Sequence, residues 1–93
     1  MIRQPRFKFR LYVAGTTQNS TRATANLTAF CAAHLAHRHE IEIVDVLQQP
    51  KRAMADSIFM TPTLVKIAPT PDRRMVGTLS QPQLLLETLG LET

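Results

Sequence analysis

Residues 7–46 decide the fold, and they read FKFRLYVAGTTQNSTRATANLTAFCAAHLAHRHEIEIVDV. Over residues 7–13, apolar side chains alternate with lysine, arginine and an amphipathic tyrosine. A repeat of two residues is typical of a β-strand with one face against a core. Gly15 lies just beyond the end of this alternation. The pattern therefore predicts a first strand over residues 7–13.

A helix and a second strand are predicted after this first strand. Asn19 or Ser20 is expected to cap the helix, which is predicted to run to about His37. Five side chains of this segment fall on one helical face: Leu27, Phe30, Cys31, His34 and Leu35. The β-branched run Ile41–Val46 predicts the second strand. The connection is long enough for the two strands to pair in parallel.

The rest of the chain predicts two helices and a β-hairpin. The expected elements are a short helix from Pro50 to about Ile58, a strand over Thr63–Ile67, a turn over Ala68–Asp72, a strand over Arg74–Thr78 and a helix from Ser80 through Leu89. Gly90 is expected to end the last helix. The order β-α-β-α-β-β-α is that of a thioredoxin-like α/β domain. We expect one domain over residues 1–93, with its core at about 7–89.

Composition narrows the class of protein. The chain has 93 residues, a net charge of +4 and a single cysteine, which cannot form an internal disulfide. No secretory signal and no apolar run of membrane-spanning length is present in the sequence, so we expect a cytoplasmic protein without membrane contact. The basic residues form two short groups, Arg3/Arg6/Lys8/Arg10 and Arg73/Arg74. No aromatic platform lies between them, so we expect a protein partner rather than a nucleic acid.

The sequence offers no constellation for catalysis. A thioredoxin-like oxidoreductase carries Cys-x-x-Cys in the loop after its first strand, but here residues 15–20 hold no cysteine. Cys31 falls on the apolar face of the helix and is interpreted as a core residue. His34, His37 and His39 are interpreted as residues near a helix end rather than metal ligands. We therefore expect no enzyme activity, no cofactor and no metal site. Thr61–Pro62, just before the third strand, is expected to be a cis peptide bond.

Four blocks of the chain resemble the KaiB family. They are Leu11-Tyr12-Val13-Ala14-Gly15-x-Thr17-x-Asn19-Ser20-x-Arg22-Ala23; Asp45-Val46-Leu47 with Pro50; Thr61-Pro62-Thr63-Leu64-x-Lys66; and Arg73-Arg74-x-x-Gly77-x-Leu79-Ser80. The resemblance covers residues 7–89, nearly the whole chain, and the blocks occur in matching order and spacing.

The resemblance implies a regulator that binds a KaiC-like ATPase and modulates its phosphorylation and ATPase cycle in a circadian or timing system. KaiA or a histidine kinase are the further partners that it implies. It also implies a metamorphic protein, with a resting homo-oligomer, a dimer or tetramer, in which the C-terminal half packs differently. Partner contacts are expected at Lys66, Arg73, Arg74 and Arg22. The choice between the two packings is expected to depend on Thr61, Pro62, Gly77 and Thr78.

Three positions depart from the family pattern. Glu42 and Ser57 occupy places where lysine is usual, and Thr78 occupies the place of an aspartate. These departures leave an alternative hypothesis open, in which the chain is a KaiB-like adaptor in stress response or signalling without a clock function.

Overall fold

The first strand lies at the centre of the sheet. The computed structural model describes residues 6–91, so the predicted domain ends and Arg3 lie outside the described residues. The elements, in chain order, are β1 (Phe7–Val13), α1 (Gln18–His34), β2 (His39–Asp45), α2 (Pro50–Ala55), β3 (Thr63–Ala68), β4 (Arg73–Val76) and α3 (Pro82–Thr88). This is the predicted β-α-β-α-β-β-α order, which confirms the thioredoxin-like fold class.

The four strands form one mixed sheet in the order β2-β1-β3-β4. β1 and β2 pair in parallel, from Phe7 opposite His39 to Val13 opposite Asp45. β3 pairs antiparallel with β1 and with β4. The predicted parallel pair and the predicted hairpin are therefore both present. β4 and β2 are left as the two edges of the sheet.

The alternation along β1 divides its side chains between two apolar clusters. Phe7, Phe9, Leu11 and Val13 belong to the larger cluster, which also contains the buried faces of α1 and α3. Tyr12 belongs to a smaller cluster on the other face, with Val44, Val65 and Ala53 of α2. The second face is thus covered by one short helix, which contributes a single buried residue.

The predicted start and end of α1 were wrong by a few residues. Thr17, not Asn19 or Ser20, is the N-cap residue, and α1 ends at His34 rather than His37. The hydroxyl of Ser20 accepts a hydrogen bond of 3.0 Å from the Ala14 backbone N–H, so it joins the helix to the end of β1. The chain leaves the helical conformation at its C-terminal end and reaches a left-handed backbone at His37, where φ is 63°.

The later elements also differ from the prediction at their ends. α2 ends at Ala55 instead of Ile58, β4 covers Arg73–Val76, and the N-cap of α3 is Gln81 rather than Ser80. The expected role of Gly90 is confirmed. It has φ 73°, and the N–H of Leu91 donates a 2.8 Å hydrogen bond to the Leu86 carbonyl, as in a Schellman motif. Within residues 6–91, none of the helices combines the length and apolar character needed to cross a membrane.

Candidate protein-docking face

The loop after β1 is held by the carboxylate of Asp45 and carries no cysteine. One oxygen of Asp45 accepts hydrogen bonds from the N–H groups of Gly15 at 3.1 Å and Leu47 at 2.9 Å. Gly15 has φ 56°, a left-handed backbone that glycine adopts without a steric penalty. Asp45 therefore joins this loop to the loop after β2, at the position where a dithiol enzyme would present its reactive thiol.

Cys31 lies far from this loop in the main core and is fully buried. Burial raises the pKa of its thiol to about 11, because the apolar surroundings disfavour the thiolate. A thiol that stays protonated and inaccessible is a poor nucleophile. Its interpretation as a core residue is confirmed by its burial.

Two of the three histidines make described structural contacts. The rings of His34 and Phe30 pack in a tilted arrangement with 4.6 Å between their centroids, and Nδ1 of His39 lies 2.8 Å from the Leu35 carbonyl oxygen. In the part of the chain that the structure describes, no three histidine, cysteine or acidic side chains are grouped as metal ligands would be.

The four predicted partner residues lie in different environments. Arg73 and Arg74 are exposed neighbours on the edge strand β4, and Arg22 is exposed near the start of α1. Among the side-chain hydrogen bonds and ion pairs described within residues 6–91, Arg74 contacts Asp56 at 2.6 Å and Arg22 takes part in none. The structure therefore places three of the four predicted residues at the surface but does not link them.

Lys66 is the exception, because its side chain is only 4% exposed. Its ammonium lies 5.9 Å from the centre of the Phe7 ring. In the pairing of β3 with β4, Lys66 lies opposite Arg73. Desolvation lowers the pKa of Lys66, and the positive charge of Arg73 lowers it further. In this packing Lys66 does not present its side chain to a partner, contrary to the expectation from sequence.

An ion-pair network covers the other face of the sheet. Glu42 of β2 accepts a 2.8 Å hydrogen bond from Arg10, which lies opposite it on β1. Arg52 of α2 contacts both carboxylate oxygens of Glu42, at 2.9 and 3.0 Å. Hydrogen bonds from Arg52 and then from Arg10 lower the pKa of Glu42 from 4.5 to about 2. The charge that departs from the family pattern is thus paired within the protein.

Asp56, at the end of α2, extends this network toward β4. One of its oxygens accepts a 2.9 Å hydrogen bond from the Tyr12 hydroxyl, and the other accepts a 2.6 Å bond from Arg74. Arg10 lies 3.8 Å from the same carboxylate. Two carboxylates therefore hold α2 against the sheet through arginines. This network was not predicted from the sequence. The alternation of side chains along the parallel strands β1 and β2 could, however, have placed Arg10 beside Glu42.

The four residues expected to govern the packing lie at one junction. The Thr61–Pro62 peptide is cis, which confirms the prediction, and the Pro62 carbonyl accepts a 2.9 Å hydrogen bond from the Gly77 N–H. Gly77 has φ 118°, in a region that other residues avoid. The Thr78 carbonyl accepts a 2.8 Å hydrogen bond from the Asn26 side chain. This junction connects β3, β4 and α1.

Exposed large apolar side chains concentrate around α2. Leu47, Met54, Phe59 and Met60 are all exposed, and Phe59 reaches 90%. All four lie within residues 47–60, beside the ion-pair network. Exposed apolar residues grouped on one segment are typical of a surface that binds another protein. This group was not anticipated from the sequence.

The structure resembles known thioredoxin-like domains. Its TM-score is 0.76 with the N-terminal domain of SasA from Synechococcus elongatus, at 21% identity, covering 97% of this chain and 89% of that one. Its TM-score is 0.75 with chloroplastic thioredoxin z, at 19% identity, covering 94% and 78%. At these identities the likeness shows the fold alone. Fold and site together define a thioredoxin-like α/β domain that lacks the dithiol motif.

Sequence comparison narrows this class to one family. The model of the KaiB domain matches residues 10–91. Circadian clock protein KaiB3 of a Synechocystis species is 40% identical over 87 residues, covering 94% of this chain and 83% of that protein. Circadian clock oscillator protein KaiB of Synechococcus sp. strain RCC307 is 43% identical over 82 residues, covering 88% and 74%. The chain belongs to the KaiB family.

Proposed function

We propose that this protein is a KaiB-type regulator that docks on a KaiC-like ATPase and modulates its phosphorylation and ATPase cycle in a timing system. The observation that carries the proposal is the match of the KaiB domain over residues 10–91, nearly the whole described chain. The names of its relatives, circadian clock proteins, support a role in a clock. KaiA or a histidine kinase are the further partners that this proposal includes.

The surface supports action by docking rather than by bond chemistry. The only cysteine of the chain is buried with a raised pKa, so the protein has no second thiol to complete a redox cycle. Exposed apolar residues around α2 offer the contact area, and exposed arginines favour an acidic partner. We therefore propose that Arg73, Arg74 and Arg22 contact the ATPase; the fourth predicted contact, Lys66, is buried in this packing.

The test is binding to the KaiC-like ATPase of the source organism, followed over hours by size-exclusion chromatography. We expect the wild-type protein to co-elute with the ATPase and Arg73→Glu to bind at least about tenfold more weakly, the effect of losing about 1.4 kcal/mol. Lys8→Glu is the matched control, because Lys8 is exposed and outside the predicted contacts. Absence of a complex at every time point would overturn the proposal.

A KaiB-like adaptor in stress response or signalling, without a clock function, is the second candidate. The specific observation in its favour is Glu42, which reverses the usual charge and is held by Arg10 and Arg52. On this face the carboxylate at position 42 is paired within the protein, where a lysine would present a positive charge. Deleting the gene separates the candidates. Loss of stress tolerance with an unchanged rhythm and no ATPase binding would favour the adaptor.

The proposal also includes a second packing of the C-terminal half in a resting homo-oligomer, in which the junction around Pro62 and Gly77 would rearrange. The expected result is a solution mass of a dimer or tetramer, with NMR secondary chemical shifts that differ from the present helices and strands after residue 48. A monomer with shifts that match α2, β3, β4 and α3 throughout would remove this part of the proposal.

A further inference from the structure

The free edge of β4 has the features of a binding site for an extended chain. β4 is the last strand of the sheet and pairs only with β3. In an antiparallel pair, residues whose N–H and C=O groups bond to the partner strand alternate with residues whose groups point away from it. The hydrogen bond from the Gly77 N–H to the Pro62 carbonyl sets this alternation.

Counting back from Gly77 shows which residues of β4 direct their backbone groups toward β3 and which direct them outward. Met75 and Arg73 direct their backbone groups toward Leu64 and Lys66 of β3, whereas Val76 and Arg74 direct theirs outward. No hydrogen bond within residues 6–91 uses the N–H or C=O groups of Val76 and Arg74 outside the strand ladder. Two donors and two acceptors are therefore available at the spacing that an added strand requires.

A small crevice with both polar and apolar walls lies at the end of this edge. It has a volume of about 240 Å³ and lies between β4 and the start of α3. Its apolar walls include Met75, Val76 and Leu84, and the last two are exposed. Pockets for whole ligands usually exceed about 300 Å³. The crevice is therefore suited to one apolar side chain of an adjacent strand.

The charged residues near the β4 edge indicate which kind of segment it can bind. Arg73 and Arg74 are exposed at the end of β4 opposite the crevice, and Lys66 lies beside Arg73. Within the described residues, the only salt bridge among these three is that of Arg74 with Asp56, so Arg73 remains without an acidic partner. A second copy of β4 that paired in parallel register, or antiparallel about Arg74, would place arginines opposite one another, and like charges across a strand pair are destabilising. An acidic segment has no such penalty.

We propose that the β4 edge binds an extended acidic segment of a partner protein by strand addition. Acidic side chains of that segment would face Arg73 and Arg74, and an apolar side chain near its other end would enter the crevice beside Leu84. The inference does not depend on the identity of the partner or on ATPase binding, so it is tested with peptides alone.

The probe is a short fluorescein-labelled peptide with two glutamates at one end, a leucine at the other and threonine and valine between them. The reversed sequence is also used, because the edge could accept either direction. Binding is measured by fluorescence anisotropy and by ¹⁵N NMR. At a peptide concentration ten times Kd, we expect amide exchange at Arg74 and Val76 to slow about tenfold. Exchange at Met75 should change less, because its N–H already bonds to β3.

Two variants and one control make the test specific. Arg73→Glu should weaken peptide binding at least tenfold. Val76→Pro removes an outward donor while the ladder to β3 is kept, and it should abolish the protection at Arg74. Lys8→Glu also reverses one positive charge, on β1, which β3 separates from β4, and this variant should bind as the wild type does. NMR spectra of each variant establish whether it is folded. If Val76→Pro does not fold, the result for Arg73→Glu decides the test.

The proposal is overturned if neither peptide binds, or if peptides with lysines in place of the glutamates bind equally well. It is also overturned if Lys8→Glu weakens binding as much as Arg73→Glu does. In each case the arginines of β4 would serve only to keep a free edge from pairing with other chains.

Discussion

Glu42 offers the sharpest test of how α2 is held on the sheet. Its carboxylate makes three hydrogen bonds to Arg10 and Arg52, and these lower its pKa from 4.5 to about 2. A shift of that size on a buried group would correspond to about 3 kcal/mol. The side chain is 47% exposed, however, so solvent screening reduces the contribution to about 1 kcal/mol.

We therefore expect Glu42→Gln to destabilise the protein by about 1 kcal/mol, which lowers Tm by about 4–8 °C in a domain of this size. Glu42→Lys should cost about 2–3 kcal/mol, because it removes the same attractions and adds repulsion from two arginines. Thermal unfolding followed by circular dichroism at neutral pH measures both. In 1 M NaCl the difference between the two variants should shrink, because the screening length falls to about 3 Å.

Glu40→Lys is the matched control for this experiment. Glu40 lies on the same strand and face as Glu42, but among the described residues it pairs only with Arg6, at 3.8 Å between exposed side chains. We expect a change below about 0.5 kcal/mol. The reasoning fails if Glu42→Lys unfolds at the wild-type temperature, or if Glu40→Lys is equally destabilising. A Glu42→Lys variant that gains ATPase binding without losing stability would also refute it.

Three further outcomes follow from the described contacts. Because the pKa of Glu42 is lower in the folded protein than in the unfolded chain, its stabilising contribution is present above pH 4.5 and is lost as the pH falls toward about 2. The free energy of unfolding, measured by urea titration, should therefore fall less steeply over this pH range in Glu42→Gln than in the wild type. Cys31 should react with a thiol reagent at pH 8 only after denaturation, since it is buried and its thiol has a pKa of about 11; rapid labelling of the native protein would contradict this. Leu27→Ala should cost about 2–5 kcal/mol in chemical denaturation, because Leu27 is fully buried, whereas Leu47→Ala, at an exposed position, should change stability by less than about 0.5 kcal/mol.

The sheet could be predicted because the patterns that determine its strands lie within short stretches of the sequence. The period of two in β1 separates the apolar and polar sides of the strand, and residues 18–34 provide the helical crossover that allows β2 to pair in parallel. The hairpin of β3 and β4 is equally local. The cis Thr61–Pro62 bond was predictable from its place just before the third strand of a thioredoxin-like order, whereas the positive φ of Gly77 was not predicted.

The parts that were not predictable depend on contacts between distant residues. Ser20 is a good cap by residue type, but its hydroxyl bonds to the end of β1 instead. A lysine at position 66 suggests the surface, but its place in the sheet puts it over the Phe7 ring. Tyr12 and Asp56 are 44 residues apart in sequence, so their hydrogen bond depends on the docking of α2. No local pattern contains that information.

The central position of β1 has a consequence for how the chain is made. When residues 7–45 have left the ribosome, β1 and β2 can pair and α1 can cover them, but the other side of β1 has no neighbour until Thr63–Ala68 are synthesised. The nascent domain therefore passes through a stage with an unfilled gap beside its middle strand. Neighbouring nascent chains on one polysome could enter that gap, and the positive charges of Lys8 and Arg10 along β1 would oppose such pairing.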